Sequence, residues 1–138
     1  MFLEPFVILP ERVYTSADNG MQGIVRVPEP ELRIYSHLAL LAHYVGDGGA
    51  GTIDLSLRSA FHADLAISPS WEFYDFLQRA GTFTGYTLNR VAFAVGVTDF
   101  LVGEGSNANA VALGAYIKPR LTISSGSHTL GVWGYPIP

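Results

Sequence analysis

The residues whose types and spacing best suit chemistry are His62, Asp64 and His128. In a strand, side chains two apart share a face, so His62 and Asp64 could reach one ion. Imidazole and carboxylate with open positions suit non-heme iron, and His128, 64 residues further on, would complete a set of three. His37 and His43 could also share a strand face, with no carboxylate near them in sequence. Asp18-Asn19-Gly20 and Asp47-Gly48-Gly49 are acidic and glycine-rich. Calcium takes about six to eight oxygen ligands, far more than either stretch offers, so both read as turns. Asp99 and Glu104 are a carboxylate pair of the kind a glycosidase uses. Each of these sets has a plainer reading as surface or turn chemistry. The expectation is therefore no catalytic residue, no metal ligand and no cofactor.

Other chemistries are excluded by what is missing. The chain has 138 residues and no cysteine, so disulfides, thiolate-zinc sites and cysteine nucleophiles are absent. It has no Gly-x-Ser-x-Gly elbow and no phosphate-cradling glycine loop followed by Lys. A formal net charge of -4 disfavours a nucleic-acid partner. The apolar runs Leu38–Val45 and Val91–Val97 fall far short of the roughly 20 residues of a membrane helix. The start of the chain, with Glu4 and Pro5 and no basic lead-in, does not read as a secretory signal.

His-x-Asp with a distant His resembles the iron-binding triad of the 2-oxoglutarate-dependent oxygenases, which are built on β-barrels. The resemblance covers these three residues. That family's basic residue beyond the second His has no counterpart, since nothing basic follows His128. The cupins use His-x-His followed by Glu, a pattern missing here.

Strands must position these residues. Ile53, Leu55 and Leu57 alternate with Asp54, Ser56 and Arg58, the period of a half-buried strand, and the alternation can run on through Ile67. Gln22–Val27, Thr82–Leu88, Val91–Val97, Val111–Ile117, Leu121–Ser124 and Thr129–Trp133 are further candidates, separated by glycine-rich turns. Glu31–Val45 sorts better as a strand than as a helix, with Leu38, Leu40, Ala42 and Tyr44 on one face and His37 and His43 on the other. Pro69–Ala80 predicts a short helix, capped by Ser68, stopped by Gly81, and apolar at Phe73, Phe76, Leu77 and Ala80. The fold class expected is all-β: one antiparallel, jelly-roll-like β-sandwich over 1–138, with one short helix in a connection.

Charge and chain ends give the remaining signal. Residues 1–80 hold 15 of the 20 charged side chains, and none lies between Leu121 and Pro138. Soluble monomers usually keep about 25–35% charge on their surface, so part of this surface is expected to be covered by another chain. The first ten residues and the last six are apolar and punctuated by proline. They read either as extended arms at 1–10 and 133–138, with Phe2, Leu3, Phe6, Trp133, Tyr135 and Ile137 as partner contacts, or as edge strands of the same domain, for which Phe6–Leu9 and Arg12–Thr15 are short candidates. Clustered aromatics at Trp71, Phe73, Tyr74 and Phe76 read as core or interface.

In size, strand pattern and end character the whole chain resembles the small jelly-roll cement or decoration proteins of tailed-bacteriophage capsids. No residue motif defines that group, so no site is carried over. The resemblance implies a virion protein on the outer capsid surface, made in the host cytoplasm. It also implies a symmetric homo-oligomer, a dimer first, contacting major capsid protein and neither nucleic acid nor membrane. The rival reading is a carbohydrate-binding β-sandwich module with exposed Trp and Tyr platforms.

Overall fold

The structure is a computed structural model that describes residues 4–27, 37–60, 62–64, 70–92 and 116–137. Its strands are β1 (Phe6–Tyr14), β2 (Gly20–Met21), β3 (Val25–Arg26), β4 (His37–Val45), β5 (Thr52–Ala60), β6 (Ser70–Ala80), β7 (Thr84–Ala92), β8 (Tyr116–Ile123) and β9 (His128–Ile137). A single 3-10 turn, Ser16–Asp18, follows β1.

Pairing is antiparallel and nested: β1 with β9, β2 and β3 with β8, β4 with β7, β5 with β6. β9 also joins β4, and β8 joins β5. Two sheets result, β1-β9-β4-β7 (the front sheet) and β2/β3-β8-β5-β6 (the back sheet). Nested pairs divided between two sheets make a jelly roll. The core lies between them. Ile8, Leu38, Leu40 and Tyr44 of the front meet Ile53, Leu55, Leu57, Ile117 and Leu121 of the back. Each large side chain buried there contributes about 1.5–3 kcal/mol.

The alternation in β5 is as expected: Ile53, Leu55 and Leu57 are buried while Asp54 is exposed. β4 buries Leu38, Leu40, Ala42 and Tyr44, the set assigned to one face of a strand; residues 31–36 lie outside those described.

Four expectations need correction. Pro69–Ala80 is not a helix, because Ser70–Ala80 is strand β6. Its register against β5 slips twice, between Leu55 and Ser56 and between Leu57 and Arg58. Each slip inserts an extra residue on β6, so the core-facing positions Tyr74 and Leu77 fall three apart, with Phe76 also buried. Two bulges therefore give a strand the apolar spacing of a helix. Gly81 does not cap a helix. It is small because a Cβ there would meet Asp47 Oδ1 at 2.7 Å.

The second correction concerns the ends. Residues 6–10 and 133–137 are not arms but parts of β1 and β9, paired to each other. β9 runs inside its sheet, between β1 and β4. Third, β5 stops at Ala60, so His62, Ala63 and Asp64 stand in an exposed bend and not on a strand.

Fourth, β8 is one strand that continues across Pro119. The Pro119 carbonyl accepts the Gln22 N–H at 2.8 Å, so the side of β8 lacking a donor faces the gap between β2 and β3. The ladder to β5 loses nothing.

Candidate functional site

The sequence candidates for ion chemistry do not come together. His62 accepts the Asp64 N–H on its Nδ1 at 2.9 Å, a local turn contact in which both residues are exposed. His128 is fully buried on β9. Its Nε2 lies 2.8 Å from the Ser125 carbonyl, which can only accept, so that nitrogen carries the proton. The other ring nitrogen, Nδ1, is left to accept the Tyr44 hydroxyl at 2.5 Å. Burial, and secondarily the Asp47 charge, push the Tyr44 hydroxyl above its ordinary pKa. Both ring nitrogens are thus occupied inside the protein. Among the described residues, no group of three or more His, Asp or Glu is placed to hold a metal ion.

The two acidic turns are structural. Asp47 Oδ2 accepts the Ser127 N–H at 2.9 Å and Oδ1 the Gly49 N–H at 2.8 Å, tying the β4–β5 loop to the β8–β9 loop. Those bonds, Ser127 first, hold its carboxyl below the ordinary range. Asp18 accepts the Thr15 N–H at 2.9 Å and pairs with Arg12 at 3.2 Å, which lower its pKa in that order. Asn19 spans to Ile123, donating to its carbonyl at 3.0 Å and accepting its N–H at 2.6 Å. Asp99 and Glu104 lie outside the described residues.

The feature the sheets do build is a surface. On the outer face of the front sheet, register aligns four apolar residues in one row, Val7 (β1), Trp133 (β9), Leu41 (β4) and Leu88 (β7). One neighbouring row holds Tyr135, Ala39 and Arg90, and the other Gly131, His43 and Tyr86. Val13, Thr129, Val45 and Thr84 follow. Tyr86 is 69% exposed, Leu88 67%, Val13 53% and Val7 47%, values that mark apolar side chains standing in solvent.

The centre of the face is ordered. His43 stacks on Tyr86 with centroids 4.5 Å apart and donates from Nδ1 to Glu11 Oε1 at 2.5 Å. The carboxylate missing from sequence around His43 is thus brought by β1. Gly131 forms the floor: a Cβ there would meet both the Trp133 ring and the Glu11 Cβ at 2.7 Å. The small residue lets the far edge of the Trp133 indole lie close over the strand.

The outer face of the back sheet is opposite in character. Its aligned rows are Gln78, Asp54 and Thr122; Asp75, Ser56 and Arg120; Glu72, Arg58 and Lys118. Every one of those side chains is polar, and Arg58 reaches Glu72 at 3.9 Å.

The six expected contact residues divide. Trp133, Tyr135 and Ile137 occupy outward register positions on β9. Phe6 packs against the core instead. Phe2 and Leu3 lie outside the described residues. Missed altogether were Val7, Val13, Leu41, Tyr86 and Leu88. The signal that could have found them is β4 itself, where Leu38–Val45 is apolar at outward as well as inward positions, the mark of a strand covered on both faces. An apolar cleft of about 380 Å³ also opens between β1 and residues 22–25, lined by Val7, Leu9, Tyr14 and Ile24.

No protein-family model, curated protein or solved structure matches the chain.

Proposed function

We propose that this protein is a structural virion protein, a capsid cement or decoration protein that docks on the outer surface of an assembled lattice of major capsid protein. The observation that carries the reading is the apolar outer face of the front sheet, the mark of an assembly subunit, on a sandwich whose back face is mostly charged and polar. Contiguous exposed apolar patches mark contact surfaces. The jelly-roll order supports the reading, as does a site in which the acidic and histidine residues serve hydrogen bonds within the fold. The mechanism is mass action: a subunit that binds only the assembled lattice stabilises it by its binding free energy. A rigid two-sheet body fixes the spacing across a joint.

Exposed Tyr86 and Tyr135, with half-buried Trp133, favour carbohydrate binding as the second reading. They stand among Val7, Val13, Leu41 and Leu88, however. A sugar's hydroxyls need polar partners, and among the described residues this face carries few with charged or imidazole groups, Glu11, His37, His43 and Arg90. The test is co-sedimentation of the purified chain with expanded shells of the major capsid protein encoded on the same genome. Saturable binding is expected. No binding to shells, or quenching of Trp133 emission by a glycan, overturns the reading.

A further inference from the structure

We infer that the outer face of the front sheet is the interface between two copies of this chain. The inference rests on the reading just given, that the protein is an assembly subunit, and names what covers its apolar face. The area fits. Four strands about 4.8 Å apart and nine residues long at about 3.4 Å each make a footprint of roughly 600 Å². Doubled, that is about 1,200 Å², the lower edge of specific interfaces. Charge fits as well. The face carries Glu11 near the β1 edge and Arg90 on β7, one of each sign, with His43 engaged by Glu11. Two copies meet there without net like-charge repulsion, although each chain carries a formal charge of -4. The back face, with six charges in Asp54, Arg58, Glu72, Asp75, Lys118 and Arg120, is unsuited to dry packing and stays free for other contacts.

Composition points the same way. Interface cores are enriched in Tyr, Trp and aliphatic side chains and depleted of charge. Here the central row is Val7, Trp133, Leu41 and Leu88. Two front sheets stacked this way turn a two-layer sandwich into a four-layer one, at the usual spacing of about 10 Å between sheets. In a two-fold interface every residue acts twice. The consequence is that one substitution on this face has a doubled effect.

The test is the solution mass of the full chain by light scattering on a size-exclusion column. The set comprises wild type, Leu88→Arg on β7, Val13→Arg on β1, and Thr122→Arg on the back face. All three replaced positions are exposed, and far-ultraviolet circular dichroism checks that each variant keeps its strands. A wild-type dimer is expected. Leu88→Arg and Val13→Arg should each raise its dissociation constant at least about 100-fold, while Thr122→Arg leaves it unchanged. A wild-type monomer at 100 µM overturns the inference (a test condition of about that size suffices). So does a dimer broken by only one of the two front-face variants, since that indicates pairing of edge strands. Shell co-sedimentation separates the two readings. A monomer that binds shells and loses binding in Leu88→Arg puts the lattice on this face, overturning the dimer but not the function. A dimer broken by both variants that never binds shells keeps the interface and removes the capsid.

Discussion

The two outer faces of this sandwich are built from strands of similar length on one shared core, yet they solve opposite problems. On the back sheet, β5 alternates strictly, and its outward Asp54, Ser56 and Arg58 meet polar neighbours on both sides. On the front sheet, β4 keeps apolar residues on its outer face too, where Ala39 meets Tyr135 and Leu41 meets Trp133 and Leu88, alongside His43. The core alone requires only one apolar face per sheet. The second apolar face of the front sheet adds nothing to the sandwich's own interior, which is why the proposal of a covering partner rests on it. The comparison teaches that candidates for a contact surface are read from the residues a strand points away from its core.

Removing the core removes both faces together, and this is the largest effect. Leu55→Ala empties a fully buried position and is expected to cost about 2–5 kcal/mol, measured by denaturant unfolding. A loss under about 1 kcal/mol would show that the two sheets do not share that core.

Next in size is the buried contact between the ends of β4 and β9. Tyr44→Phe leaves the buried Nδ1 of His128 without its donor and is expected to cost about 1–3 kcal/mol. The same readout applies, and an unchanged midpoint would show that the hydroxyl contact is not formed.

Acid should weaken the loop end before it alters either face. Asp47 and Asp18 are held below their ordinary carboxylate values by backbone N–H bonds. Their contribution is therefore present above the ordinary carboxylate range and is lost as pH falls through the lowered values. Asp47→Asn is expected to flatten the acid limb of the stability profile. An unchanged slope would show that the carboxylate is not differentially bound in the fold.

The smallest effect on monomer stability distinguishes the faces most sharply. Leu88→Ser and Gln78→Ser, on opposite outer faces, should each change intrinsic stability by less than about 0.5 kcal/mol. Only Leu88→Ser should abolish the dependence of the thermal midpoint on protein concentration that self-association imposes. Equal behaviour of the pair would erase the comparison.

Much of the fold was legible in sequence, and the failures have physical causes. The β5 alternation and the sorting of β4 were readable because period two survives wherever pairing is regular. β6 was misread because two bulges shift its phase and imitate helical spacing. The termini stayed undecided between arms and strands because apolar ends punctuated by proline look unpartnered until β1 and β9, at opposite ends of the chain, pair with each other. β8 was divided at Pro119 because the sequence does not show that the missing N–H faces a gap in the neighbouring strand. Of the candidate site, Trp133 and Tyr135 were named, but the face joining them to Leu41, Leu88 and Val7 was not, because those residues come from four strands.

The sequence by itself determined that this chain is all-β, lacks thiol chemistry, is poor in charge toward its end and has strands of period two. Those properties follow from residue types and nearest-neighbour spacing. Only the tertiary structure decided that Glu11 meets His43, that Asp47 binds the Ser127 N–H, and that one outer face is apolar while the other is charged. Such facts depend on which strands lie side by side and in what register, and register sets every side chain on one face or the other. A strand's own residues sort into two faces, as those of β4 do, but they do not reveal what lies against the outer one.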